Sequence, residues 1–390
     1  MTRLFSTVAP QLREGLADVR AEPLRLRARL ADLRLEAATE TEAPYRLRTL
    51  RLYPLETQAK DPRVAAPATH TVGTVPEESA AVAAEPFAEL GLVGFTVAGA
   101  GGDGSVWATA RGWASLDRDE VLLPEHRFPA SSVTKLVTAT AVLRLAADGR
   151  VRLDEPANAY LHTIRLADDA VTVRELLSHT GGVDIPAPAS LFADRVPDLV
   201  SVMGSVAACG GQRGTFGYGH GGYAMLGQLI ADVTELPYPQ AVTRMVLDPL
   251  GMAGSSFPTS PPATGAATGY RLSGEGVFQP VPAQVCTLPA AGGLWTTALD
   301  LVRFGLGWSS LLPDTLAREA LSPQVERDDF GGQAGLGWML MQPRDVAGHP
   351  GSGFSASLII SPSTGRPWVV LTNRQVLAEP VNERLALPIA

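Results

Sequence analysis

Ser132-Val133-Thr134-Lys135 stands at the head of a helix-forming run, residues 131–150, whose apolar positions include Val133, Leu136, Val137, Ala141, Leu143 and Leu145. A separation of three places Ser132 and Lys135 about one turn apart on the same helix face. A serine hydroxyl is a weak nucleophile and needs a neighbouring base, which a desolvated lysine can supply. The helix N-terminus adds backbone N–H groups aimed at developing negative charge. Lysine is also scarce in this chain: Lys+Arg total 32, and only Lys60 and Lys135 are lysines. Arginine stays protonated in a protein, whereas a buried lysine can shift its pKa and serve as a base. Alone the pair is a weak signal, because in a chain with 22 serines this spacing also arises by chance; Ser131, four residues before the lysine, is within its reach as well.

Two more segments carry chemistry-bearing residues. Phe216-Gly217-Tyr218-Gly219-His220-Gly221-Gly222-Tyr223 places a phenol in a glycine-rich stretch. A phenol acts as a base when a cation lowers its pKa; a buried tyrosine in a turn explains the segment equally well when it is read alone. Gly348-His349-Pro350-Gly351-Ser352-Gly353 leads into a strand, and its glycines would let a ligand approach the backbone. Read alone, it is also a hairpin turn with a surface histidine.

The surrounding chain sets bounds on the fold. Its 390 residues carry a net charge of −8, which argues against a nucleic-acid binder. A hydrophobic content of 45% against 18% charged suits a sizeable core. Two cysteines, Cys209 and Cys286, provide neither a disulfide framework nor a cysteine-built zinc site. Scattered histidines suggest no metal. No apolar run is long enough to span a membrane, and the N-terminal residues lack a signal core, so a cytoplasmic protein is expected.

Residues 1–43 carry two apolar stripes at helical spacing: Phe5, Val8, Leu12, Leu16 and Val19, then Leu26, Leu30, Leu33 and Ala37. They predict a helical N-terminal extension, with self-association through residues 1–43 as one use for it. A short strand is expected around Arg46–Leu52, and the Pro-rich text of residues 56–76 reads as a linker. The expected division is therefore an extension over residues 1–70 and a catalytic domain over 76–390. A helix is predicted over 77–90, then an apolar strand over 92–98. Gly99-Ala100-Gly101-Gly102-Asp103-Gly104 matches a dinucleotide fingerprint literally, but strand formers follow it rather than a helix, so a hairpin turn is expected. Helices are predicted near 173–178, 222–233, 238–250 and 298–306, and strands at 356–360 and 368–371. Strands at both ends with helices between predict an α+β fold, an antiparallel sheet flanked by helices with an inserted helical subdomain.

The three segments, in this order, resemble the signatures S-x-x-K, Y-x-N and H-x-G of the serine β-lactamase and penicillin-binding protein superfamily. The nearest branch is that of class C β-lactamases, D-alanyl carboxypeptidases, family VIII esterases and related acyltransferases. Supporting segments are Arg174-Glu175-Leu176-Leu177-Ser178-His179-Thr180-Gly181-Gly182, Asp248-Pro249-Leu250-Gly251-Met252, Gly292-Gly293-Leu294-Trp295-Thr296-Thr297 and Gly335-Leu336-Gly337-Trp338. The resemblance covers roughly residues 76–375. No G-x-S-x-G occurs, so an α/β-hydrolase elbow is excluded.

The resemblance implies a class C β-lactamase/DD-peptidase-like fold and no cofactor. It implies Ser132 as nucleophile, Lys135 as its activating partner and Tyr218 as proton shuttle. The backbone N–H groups of Ser132 and Ser352 would form the oxyanion hole. His349 and Gly351 fall in the third signature, His349 placed either to stabilise phenolate on Tyr218 or to touch the substrate. His179 is read as a structural member of its turn. Two departures weigh on substrate choice. His220 replaces the usual asparagine and offers only one donor and one acceptor when neutral. Its protonation is expected to set an acid limb in the rate profile. His349 replaces lysine and weakens the grip on a β-lactam carboxylate.

Esterase or transesterase action on a small-molecule acyl substrate therefore ranks first. A β-lactamase or D-alanyl carboxypeptidase, an amide hydrolase or macrocyclising acyltransferase, and a non-catalytic β-lactamase-like scaffold or sensor are the alternatives.

Overall fold

The structure, a computed structural model, describes residues 25–30, 33–39, 47–54, 61–64, 69–77, 92–183, 185, 190–273, 276–327, 332–341, 345–351 and 353–376. The chain divides into two compact units, residues 1–60 with 274–276, and residues 61–273 with 277–390.

The described part of the first unit is a three-stranded antiparallel sheet, β1 (Arg25–Leu30), β2 (Leu33–Thr39) and β3 (Leu47–Pro54), in that spatial order. Leu26 pairs with Ala37, Leu30 with Leu33, and Leu35 with Leu52. This corrects the helical extension predicted from the second apolar stripe. Leu26, Leu30, Leu33 and Ala37 fit helical spacing, but the same stretch also alternates at period two: Arg25, Arg27 and Arg29 against Leu26, Ala28 and Leu30. Short apolar runs satisfy both periods, and here the strand period prevails. The strand expected near Arg46–Leu52 is present as β3. The first stripe, residues 5–19, and nearly all of the helix expected over 77–90 lie outside the described residues.

The second unit is built on a large mixed-edge sheet. Its main path runs Val325–Glu326, Gln333–Ala334, Met339–Met341, Val346–Gly351, Gly353–Ile360, Pro367–Val376, β5 (Gly94–Ala100), β6 (Val106–Ser115) and β4 (Thr69–Val72), every neighbour antiparallel. Trp368 pairs with Gly99 and Val370 with Val97, so strands from the two ends of the domain close the sheet at its centre. Gly101–Gly104 is the hairpin turn between β5 and β6. The Gly101 N–H donates to Ser105 O (2.8 Å), the Gly104 N–H to Gly101 O (3.0 Å), and Gly104 takes a φ of +80°. One sheet face packs Phe95, Val97, Trp107, Ile359 and Trp368 together. The other packs Ala98, Ala108, Leu358 and Val369 into the main core with the helices.

β4 falls within the stretch expected to be a linker. Its residues pair with Arg111, Ala110, Thr109 and Ala108 of β6, making it an edge strand of this sheet. Just before it, the buried Asp61 accepts the Phe278 N–H (3.1 Å) and a bidentate bond from Arg63. A chain beginning at Asp61 is therefore expected to keep the stability of this unit. One beginning at Val75 should lose at least the charged bond to Phe278, about 1.5–3 kcal/mol. Denaturant midpoints of the two truncations check this; equal midpoints would remove β4 and Asp61 from the domain.

α1 (Thr134–Ala147) is buried at all of its first ten positions. A helix apolar nearly all round belongs inside a protein. Two of its polar residues bond backward along the helix, Thr138 Oγ1 to Thr134 O (3.3 Å) and Thr140 Oγ1 to Leu136 O (2.9 Å). α2 (Val173–Leu177) starts at a capping box, with Thr172 accepting the Glu175 N–H and Glu175 accepting the Thr172 N–H. α3 (Gly221–Thr234) starts directly after His220. The helix predicted over 238–250 is α-helical only over Tyr238–Val242 and continues as a π-turn over Thr243–Leu247.

Candidate active site

α1 begins out of a single 3-10 turn, Ser131–Val133, which carries Ser132 into the first turn above Lys135. Lys135 is fully buried, and its Nζ lies 3.0 Å from Ser132 Oγ and 2.8 Å from the Ala291 carbonyl oxygen. Burial pulls its pKa down to about 7, far below the ordinary lysine value. A neutral amine in this place donates to Ala291 O and accepts the Ser132 hydroxyl proton. Tyr218 Oη donates to Ser132 Oγ from the other side at 2.8 Å. Lys135 Nζ also sits 5.1 Å from the centre of the Tyr218 ring. Lys135, singled out by its spacing, and Tyr218, singled out by the resemblance, thus both lie within hydrogen-bond distance of Ser132 Oγ, Tyr218 from 86 residues along the chain. Ser131 Oγ shares no hydrogen bond with either partner among the described residues. Its backbone is instead in the left-handed region, φ +47°, the strained step that turns Ser132 toward Lys135.

Two of the remaining residues singled out from the sequence also flank Tyr218. The ring centres of His220 and His349 lie 5.9 and 5.7 Å from that of Tyr218. Burial, then the nearby Lys135, lowers the His220 pKa to about 3 and holds His349 well below its ordinary value. A pKa near 3 argues against His220 as the source of the expected acid limb. His349 Nδ1 lies 2.6 Å from Pro350 O. A carbonyl only accepts, so Nδ1 carries the proton and Nε2 presents a lone pair.

Gly351 also gives room to a neighbouring turn. A Cβ there would stand 2.6 Å from Ala130 O and 3.1 Å from Ser131 Cβ. The group that needs room at Gly351 is the backbone leading into the Ser131–Val133 turn. Ser352, assigned to the oxyanion hole, lies outside the described residues.

One neighbour of the site escaped sequence reasoning, and another was read only as a structural turn residue. One is the backbone oxygen of Ala291, on the short helix Pro289–Gly292, which anchors the lysine and offers no side-chain signal. The other is the half-buried His179, whose ring lies 4.8 Å from that of Tyr218. Its Ser-His-Thr-Gly-Gly turn was the only signal available. Among the described residues no group of three or more His, Cys, Asp and Glu side chains is placed to hold a metal ion. No helix of the described residues is long and apolar enough to cross a membrane.

The family profile described as Beta-lactamase matches residues 79–388. PbpX of Bacillus subtilis (strain 168) is 26% identical over 201 residues, covering 50% of each chain, so the chain spans about half the length of that curated relative. Among solved structures, a D-amino acid amidase from Ochrobactrum anthropi SV3 complexed with L-phenylalanine superposes with a TM-score of 0.70 at 22% identity, over 80% of this chain and 98% of that one. EstCE1, titled a hydrolase with promiscuous acyltransferase activity, superposes with a TM-score of 0.67 at 20% identity, over 80% and 96%. At these identities the two structures speak for the fold alone.

Proposed function

The chain belongs to the Beta-lactamase family of serine hydrolases, and on that premise we propose that it acts on carboxylic esters through an acyl-enzyme on Ser132. The observation that carries this reading is the placement of Ser132 Oγ between Lys135 Nζ at 3.0 Å and Tyr218 Oη at 2.8 Å.

Neutral Lys135 takes the Ser132 proton as Oγ bonds to the ester carbonyl carbon. The oxyanion forms against the Ser132 and Ser352 N–H groups, and losing one such donor typically costs about 2.7–4 kcal/mol. As the C–O bond breaks, Tyr218 gives its phenolic proton to the departing alkoxide. Lys135, now an ammonium, returns a proton to the phenolate. Water or an alcohol then attacks the acyl carbon, giving hydrolysis or transesterification. Tyr218 is 37% exposed while Lys135 is wholly buried. Substrate therefore reaches the proton donor while solvent is kept from the base.

Neutral His220 and His349 support an ester over an anionic β-lactam or peptide terminus. Neither ring supplies a cation for a carboxylate. An ester also has no N–H to match, so it loses less where asparagine is replaced by a neutral histidine with one donor and one acceptor. The same fold in an amidase keeps amide hydrolysis as the second reading. A scaffold without turnover would not require a buried, neutral lysine beside a serine.

His220→Asn is expected to raise amide or β-lactam turnover relative to ester turnover by roughly tenfold, the worth of one hydrogen bond. It should leave the acid limb of ester hydrolysis where it was. Steady-state rates on a matched ester and amide check both points. An unchanged ratio would reduce His220 to a turn residue.

A further inference from the structure

The backbone that carries Tyr218 is rich in glycine: Gly211, Gly214, Gly217, Gly219, Gly221 and Gly222. Such a segment has little stiffness of its own, yet Tyr218 Oη must be held 2.8 Å from Ser132 Oγ. The segment lies against the turn that follows α2. The Gly211 N–H donates to Gly182 O (3.0 Å), the Gly214 N–H to Thr180 O (2.8 Å) and the Gly217 N–H to His179 O (2.9 Å). The Gly219 N–H points to His179 Nδ1 at 3.5 Å. The residues on either side of Tyr218 are therefore tied to one residue, Gly217 through the His179 carbonyl and Gly219 through its ring.

The ring of His179 also forms a wall behind the phenol. Its centre lies 4.8 Å from that of Tyr218, 5.0 Å from that of Tyr223 and 5.9 Å from that of Phe216. Tyr223 is itself fixed, its Oη donating to Leu177 O at 3.0 Å. His179 adopts a left-handed φ of +59°, which a side chain seldom takes without a compensating role. Burial holds the ring neutral, as an acceptor at Nδ1 requires.

We infer that His179 is the positioning residue of this site, aligning Tyr218 with Ser132 through backbone anchors on both sides and a ring wall behind it. The inference rests on the proposed role of Tyr218 as proton donor to the leaving group. His179 itself touches no reacting atom. Its loss should act only where the Tyr218 proton matters. A 1 Å misplacement of a catalytic group costs on the order of 10²-fold, and general-acid assistance is worth about 10²–10⁴-fold.

The test uses His179→Phe, which keeps a ring but loses the acceptor, and His179→Asn, which keeps an acceptor but loses the ring. Each is made alone and with Tyr218→Phe, and assayed on an alkyl ester and a p-nitrophenyl ester of the same acyl group. On the alkyl ester kcat should fall about 10–100-fold with KM within about twofold. On the p-nitrophenyl ester, whose phenolate leaves unprotonated, the fall should be only about threefold. In the Tyr218→Phe background neither variant should cost anything more. Equal losses on both esters, or losses that multiply with Tyr218→Phe, would overturn the inference and leave His179 a packing residue. Parent rates on both esters in Tyr218→Phe alone would instead overturn the role of Tyr218. Should both His179 variants fail to fold, a crystal structure of the parent protein decides. Tyr218 at Ser132 with its ring resting on His179 is expected; Tyr218 at Ser132 with its ring away from His179 contradicts the inference.

Discussion

Lys135→Met should abolish turnover, by about 10³-fold or more, while making the protein more stable at neutral pH. Both effects come from the same burial. Lys135 titrates near 7 in the folded protein and near the ordinary lysine value of about 10.4 once unfolded. Between those values the unfolded chain binds the extra proton, so stability rises with pH across that window. Below about pH 7 the folded protein bears a penalty on the order of 4 kcal/mol relative to its plateau above pH 10. Methionine has no proton to lose and removes that penalty, although Ala291 O and Ser132 Oγ forfeit a partner at about 1–3 kcal/mol. A net gain of roughly 1–3 kcal/mol is expected at pH 7. The rise in stability between pH 7 and 10 should flatten. The same titration governs rate: kcat/KM of the parent should climb with pH to a plateau above about 7, as the amine becomes the free base. Chemical denaturation and rate profiles from pH 5 to 10 check all three statements. A parent whose stability is flat over pH 7–10 would mean that Lys135 is charged in the folded state.

Ser132→Ala and Ser131→Ala should part company widely. The first removes the only hydroxyl hydrogen-bonded to Lys135 and Tyr218 among the described residues, and should lower ester turnover by about 10⁴-fold or more. The second leaves both of those bonds in place and should change the rate by less than about tenfold, mostly through the altered turn at φ +47°. Initial rates on one p-nitrophenyl ester separate them. Comparable losses in both would mean that the strained turn, not the Ser132 hydroxyl, governs the reaction.

Local chemistry was the legible part of this protein. The i, i+3 spacing of Ser132 and Lys135 survives folding because one helix carries both, and a scarce lysine stood out against the arginines. The glycine run at 99–104 was readable as a hairpin because strand formers flank it. Features that depend on distant partners were not readable. Leu26, Leu30, Leu33 and Ala37 satisfy helix and strand periods alike, and only the pairing of β1 with β2 and of β2 with β3 selects the strand. Thr69–Val72 looks like linker until β6 supplies its ladder. Gly351 advertises backbone freedom but not what fills it, and Ala130 lies 221 positions earlier in the chain. His220 looked like a titrating group because its burial beside Lys135 is a property of the fold alone.

The proposed chemistry stands or falls on a covalent bond to Ser132. The most direct measurement is intact-mass analysis of the protein at pH 8, within seconds of mixing with a p-nitrophenyl ester and after incubation with a fluorophosphonate. Peptide mapping of the adducts follows, with Ser132→Ala run in parallel. One adduct per chain is expected, mapped to Ser132 for both reagents and missing from Ser132→Ala. An adduct on Ser131 or elsewhere, or ester turnover with undiminished rate in Ser132→Ala, would contradict it.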